Sequence, residues 1–295
     1  MRQDSPASYI ASLTLELEWA PDPGCVRVVA LPAAPGPGVR HVGDTHWKLD
    51  RTFADTVDGY DAEMSIIHFV GGEKGGVGKS VVARLLAQYF VDHTLPFVAL
   101  DADGSHGSLL RHYADFTRAV DLSRFDSADE ILSLATEADR RVLVDLPAQS
   151  DRPLSTWITE AGILDLARES QVQVVFWHVM DDGKDATITL DRLLTRYGTA
   201  AKYCIVKNLG RGKDFSLFDR SAVRALAAEL DAHVIELPEL HAPAMQKIDR
   251  FDASFWAAVN NAALGDGAFT RMDRQRVKVW LTAGFDQLAR LGDQL

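Results

Sequence analysis

Hydrophobic positions in this chain fall into short dense runs separated by stretches with a helical period. SIIHFV, from Ser65 to Val70, is an apolar run of strand length, and KSVVARLLAQYFVDH after it sets Val81, Val82, Leu85, Leu86 and Tyr89 on one helical face. PFVALDAD predicts a second strand ending in acids, SADEILSLATEA a helix, and RRVLVDLPA a third strand ending in an acid. QVQVVFWHVMDD, AKYCIVKNLG and DAHVIELPEL predict further strands, with KDATITLDRLLTRYG and DRSAVRALAAELD as helices between them. Continuous apolar strands alternating with helices predict an α/β fold with a mainly parallel, doubly wound sheet covered on both faces. Ligands bind such sheets at the carboxyl ends of strands, where the acids and glycines of this chain gather.

The first 63 residues break this rhythm. Six of the eleven prolines fall there, and LPAAPGPG reads as a loop or linker. TLELEWA and CVRVVALP alternate well enough for a weak hairpin. We therefore expect residues 1–63 to be an extension or an over-extended start, and residues 64–295 to be the main domain, with C-terminal helices from about residue 252. An accessory domain at 1–63 is the alternative. The opening residues carry acids within their apolar part and do not resemble a secretory leader.

Composition narrows the function classes. The formal charge is −11, of which the first 63 residues, with five basic and ten acidic side chains, supply −5. This balance argues against a surface built mainly for free nucleic acid, which needs clustered lysine and arginine. No run of about 18 apolar residues appears, so no membrane span is expected. The two cysteines, Cys25 and Cys204, suit neither a disulfide framework nor a metal cluster, so a reducing cytoplasm is the expected compartment.

The chemistry concentrates in GGEKGGVGKS, Gly71 to Ser80. A strand enters it and a helix leaves it. Gly75, Gly76 and Gly78 let backbone N–H groups curl around phosphate oxygens, and the helix presents its positive N-terminus to the same anion. Lys79 is spaced to reach the β- and γ-phosphates and Ser80 to ligate Mg²⁺, while Val77 completes the loop and Val81 opens the helix. The usual first glycine of a phosphate loop is replaced by Glu73, and a second lysine, Lys74, follows it.

The pattern K-G-G-x-G-K-[ST] resembles the deviant phosphate loop of ParA/MinD-type ATPases, P-loop NTPases of the SIMIBI class, over about residues 64–250. The resemblance implies an Mg²⁺-dependent ATPase that forms a homodimer with ATP sandwiched at the interface, Lys74 reaching the partner's phosphates. A second cation supplied in trans would neutralise charge on the transferring phosphoryl group and couple hydrolysis to dimerisation. Glu73 points nearer the ParA partition and mobilisation branch than the MinD one. LDADGSHGSL then resembles the D-x-D switch: Asp103 would position the attacking water, and Asp101 would be an Mg²⁺ second-shell or structural acid. Gly104 and Ser105 depart from the proline and glutamine common there. VLVDLPAQS resembles the Walker B end, with Asp145 holding Mg²⁺ through water, and Pro147 and Ala148 opening a second switch. Asn208, Pro238 and Glu239 stand where the family contacts adenine. No N-K-x-D motif is present, which favours ATP over GTP.

The absence of cysteine near either switch separates the chain from the iron–sulfur and zinc-bridged branches. The last tyrosine, Tyr203, lies far from the tail, unlike in the tyrosine-kinase branch. The implied output is positioning or segregating DNA or a protein cargo, in plasmid partition or mobilisation, with a DNA-binding adaptor or relaxase-type partner and direct DNA contact left open. Two rivals remain. One is a dethiobiotin/cobyrinate-type ATP-dependent synthetase or amidotransferase, a class that usually lacks the Lys74 equivalent. The other is a nucleotide-gated binding module with little turnover.

The tail RMDRQRVKVWLTAGFDQLARLGDQL puts Val277, Trp280, Leu281, Phe285, Leu288 and Leu291 on one side and a cluster of Arg271, Arg274, Arg276 and Lys278 at its start. A docked helix is expected, with a membrane-seeking amphipathic helix as the alternative; the basic cluster could instead touch DNA. His68, His106, His112, His178 and His241 show no ligand spacing, though His106 follows the switch acids. FWHVMDDGKDA reads as a loop with a helix cap at Asp185, or as a surface facing a partner.

Overall fold

The computed structural model describes residues 64–72, 74–104 and 107–295, except the side chains of residues 265, 266 and 293, together with the backbone of four short strands nearer the start. Contacts divide the chain into a unit of residues 1–61 and a unit of residues 62–295. In the first, β1 (Leu15–Trp19) pairs antiparallel with β2 (Val26–Ala30), and β3 (Val39–His41) with β4 (Trp47–Leu49).

The second unit is built on seven strands. These are β5 (Ile66–Gly71), β6 (Phe97–Asp101), β7 (Thr117–Ala119), β8 (Arg141–Asp145), β9 (Gln173–Met180), β10 (Lys202–Asn208) and β11 (His233–Leu237). Their order across the sheet is β11-β10-β9-β5-β8-β6-β7, and every ladder is parallel. The fold is therefore a doubly wound α/β fold on an all-parallel sheet. The strand that feeds the phosphate loop lies at the centre, between β8 and β9, where β5 is buried on both faces.

Alternation along the strands feeds two cores. Val70, Val175 and Trp177 face one side, where they meet α1 (Lys79–Asp92), α9 (Ala242–Arg250), α10 (Phe255–Asn260) and α11 (Arg271–Leu288). Ile67, Phe69, Val174 and Phe176 face the other, against α3 (Phe125–Glu137), α4 (Asp151–Glu160), α5 (Ile163–Glu169), α6 (Lys184–Tyr197) and α8 (Ala222–Glu229). Each fully buried aliphatic or aromatic side chain contributes about 1.5–3 kcal/mol of transfer energy. The short helices α2 (Ser108–His112) and α7 (Ser216–Asp219), like β7, carry no clear sequence period and are held by tertiary contacts.

α1 is buried nearly all round, so its polar residues are paired. Arg84 donates to Asp249 Oδ1 and to the Ser80 carbonyl, and Gln88 Oε1 accepts from Tyr113 and from the Trp256 amide. α11 docks on the sheet: Val277, Trp280, Leu281 and Leu288 are buried, and Leu291 follows in the 3₁₀ turns beyond. In its basic cluster, Arg274 is spent on the Ala262 and Phe269 carbonyls, and Arg276 lies 3.7 Å from Asp273. Among the described residues no helix is long and apolar enough to cross a membrane.

Candidate functional site

The phosphate loop joins the end of β5 to the start of α1. Gly72 runs so close to β9 that a Cβ there would meet the Val179 carbonyl at 2.6 Å. This close approach stands one residue before the position where phosphate loops usually carry their first glycine. At the other end, Gly78 is the N-cap of α1 with φ 104° and ψ 20°, a left-handed conformation that side chains disfavour. Lys79 is buried and its Nζ donates to the Lys74 carbonyl at 3.0 Å, crossing the loop. Glu73 and His106 lie outside the described residues.

The two lysines of the loop behave differently. The Lys74 side chain is 55% exposed and leans away from the loop, its Nζ 2.5 Å from Asp181 Oδ2 just beyond β9. The hydrogen bond and charge of Asp181 push its pKa up, with the nearby Asp185 and Asp182 adding to the effect. Asp181 is itself fixed, because its Oδ1 accepts from the Gly183 amide at 3.1 Å. Gly183, not Asp185, is the N-cap of α6; Asp185 lies in the first turn, where its charge meets the positive end of the helix. That corrects the expected cap. Asp182 Oδ2 in turn accepts from the Lys213 and Asp214 amides, which clamps this loop to the one after β10.

On the other flank of β5, the parallel register sets Asp101 directly beside Asp145 at the ends of β6 and β8. Both are buried, yet they are satisfied differently. Asp101 accepts from the amides of Asp103, Leu109 and Leu110, at 3.1, 2.8 and 3.2 Å. It therefore ties the segment after β6 to the start of α2; burial still raises its pKa. Asp103 is half-buried and follows it. Asp145 Oδ1 is buried without a hydrogen-bond partner. Burial, aided by the charge of Asp101, pushes the Asp145 pKa up to about 7, against the pull of Ser80, Lys79 and Arg84. A buried carboxylate with an idle oxygen, bonded by Ser80, fits a divalent cation, whose charge would hold it ionised. Among the described residues no group of three or more His, Cys, Asp or Glu could hold a metal, so such an ion would draw on phosphate and water for its other ligands.

Beyond the loop, Gly78, Val81, Asn208, Pro238 and Glu239 line one cavity of about 290 Å³ with Met245, Asp249 and Trp280. Asn208 is a strap as well as a wall: its Nδ2 donates to the Val77 carbonyl at 2.7 Å and its Oδ1 accepts from the Gly210 amide at 3.0 Å. Glu239 is exposed and pairs with Lys213 at 2.6 Å. The structure thus brings the loop residues, Asp145, Asn208, Pro238 and Glu239 to one edge of the sheet, along the carboxyl ends of its strands. Sequence reasoning missed Asp181, Asp182 and Trp280. Only the acidic end of β9 hinted at the first two.

His68, His112 and His178 are buried in the interior rather than grouped as ligands, with burial lowering their pKa values to about 3, 4 and 4.

No protein-family model matches the chain. Among curated proteins, it is 26% identical over 239 residues to protein TraL of Escherichia coli, covering 76% of this chain and 98% of TraL. It is 24% identical over 220 residues to protein MobD of Acidithiobacillus ferrooxidans, covering 72% of this chain and 95% of MobD. Among solved structures, the septum site-determining protein MinD of Pyrococcus horikoshii, complexed with Mg-ADP, aligns at 17% identity and TM-score 0.44, over 77% of this chain and 98% of that one. The chain thus joins a phosphate-loop sequence to a parallel α/β sheet and is similar to TraL and MobD over most of their length.

Proposed function

We propose that this chain is an Mg²⁺-dependent ATPase of the ParA kind, which dimerises around ATP and uses the cycle to position DNA or a protein cargo in plasmid mobilisation or partition. The observation that carries this reading is the division of labour between the two lysines. Lys79 is buried across its own loop, whereas Lys74 is exposed and held by Asp181 at the rim. A lysine so placed is available to the phosphates of a second subunit once Asp181 releases it. Gly75 to Val81 cradle the phosphates, Lys79 draws in the β- and γ-oxygens, and Asn208, Pro238 and Glu239 enclose the base. Ser80 and Asp145 would hold Mg²⁺, which supplies charge neutralisation on the phosphates. Asp101 holds in place the segment from which Asp103 orients the attacking water, a task that needs no shifted pKa. The setting we propose is plasmid mobilisation, with an adaptor or relaxase as the partner.

The test compares Lys79→Ala and Lys74→Ala for ATP affinity, for mass in solution with ATP, and for phosphate release. We expect Lys79→Ala to lose binding, and Lys74→Ala to keep binding while losing both dimer and turnover. A Lys74→Ala protein that still dimerises and hydrolyses ATP would sink the trans-lysine account.

A further inference from the structure

The base-side wall of the cavity is not fixed by the sheet alone. β11 ends at Leu237, at one edge of the seven-stranded sheet, and the chain then passes Pro238, Glu239 and Leu240, where among the described residues no strand pairs beyond it. Pro238 lacks a backbone N–H, so there the chain offers only an acceptor. That acceptor is taken: Trp280 of α11 donates its indole Nε1–H to the Pro238 carbonyl at 2.7 Å. The indole is 4% exposed, so its position is set by packing. It lies 5.0 Å from the Phe255 ring, which carries the Arg84 guanidinium 5.5 Å above it. Arg84 bonds the Ser80 carbonyl beside the phosphate loop. A continuous run of contacts therefore links the Ser80 end of the site to Pro238, and its last member borders the cavity.

We infer that Trp280 is a positioning residue for base recognition, holding the Pro238–Leu240 segment in one orientation so that the site distinguishes adenine from guanine. The inference rests on the nucleotide-binding reading of the same site. Its physical basis is that a hydrogen-bonded segment discriminates bases only if its carbonyls cannot rotate to suit either. Without the indole N–H, the Pro238 carbonyl loses its hydrogen bond to α11 and the segment keeps only packing contacts with that helix.

The experiment measures affinities of the full chain for ATP, GTP and inorganic tripolyphosphate in wild type, Trp280→Phe and Gln287→Ala. Trp280→Phe keeps an aromatic ring against Phe255 and removes the donor. Gln287→Ala removes a bond from α11 to β11 itself, in which Gln287 Oε1 accepts from the Glu236 amide at 3.3 Å, and Gln287 does not line the cavity. We expect Trp280→Phe to lower the ATP-over-GTP preference about 2- to 10-fold, the worth of one hydrogen bond, with tripolyphosphate affinity unchanged and Gln287→Ala retaining the preference. An unchanged preference in Trp280→Phe, with affinities either kept or lost uniformly, overturns the inference. An equal loss of preference in Gln287→Ala also overturns it, by assigning the effect to general loosening of α11. A wild-type chain that binds none of the three overturns the nucleotide reading itself.

Discussion

Gly78→Ala tests whether the phosphate loop is held by packing as well as by its own turn. Two costs arise from the geometry. The residue sits at φ 104° and ψ 20°, where a side chain adds about 1–3 kcal/mol of backbone strain. An added Cβ would also fall on Asn208 Nδ2, well inside van der Waals contact, and would drive the amide off the Val77 carbonyl. Losing that buried bond costs about 1–3 kcal/mol more. The sum is about 4 kcal/mol, or a fall in Tm of roughly 10 °C for a domain of this size. Urea unfolding of the single variants and of Gly78→Ala/Asn208→Ala separates the two parts. If the clash is real, Asn208→Ala relieves it, and the double variant is about 1–2 kcal/mol more stable than the sum of the singles predicts. Additivity within about 0.5 kcal/mol would refute the strap.

Buried histidines make stability fall in acid. In the unfolded chain His68, His112 and His178 take up protons near pH 6.5, whereas burial in the fold holds them neutral down to about 3, 4 and 4. The unfolded state thus binds more protons between those limits, and the stability present above pH 6.5 is lost as pH drops: about 2 kcal/mol each by pH 5. Asp145, raised to about 7, has the opposite sign and returns roughly 3 kcal/mol over the same range. The net expectation, a loss of about 3 kcal/mol between pH 8 and pH 5 in urea titrations, fails if stability is flat or rises. Tyr113→Phe should cost about 1–3 kcal/mol, because the Tyr113 hydroxyl accepts from the buried Phe255 amide and donates to Gln88. Hydrogen exchange at Phe255 should quicken accordingly, and unaltered exchange would count against the bond.

The strands were legible because a parallel sheet buries both faces, which leaves runs such as IIHFV and VVFWHVM with no polar gap beyond histidine. The phosphate loop was legible because its chemistry depends on residue types at fixed short spacing. Asp181 was not, since its meaning comes from a lysine 107 residues earlier, brought near only by the pairing of β5 with β9. Asp101 reads identically as a cation ligand or an anchor until α2 is seen to place its amides on the carboxylate. Trp280 looked like one more apolar position on a docking face. Its ring does serve that face, and nothing in the helical period reveals that the N–H meets Pro238.

The sheet order has a consequence for how the protein is made. The site takes residues from β5 and β8, and from the ends of β10 and β11, and the wall at Pro238 is bonded to α11. Asn208 and Val77, joined by one hydrogen bond, are 131 residues apart. Contacts of that span form late, after most loop-closure entropy has been spent. During synthesis the loop from Gly71 to Ser80 is made well before Asn208 and Trp280, so its strap and the bond at Pro238 form only after most of the domain has followed. A ligand touching both ends of such a site therefore rewards the complete domain most.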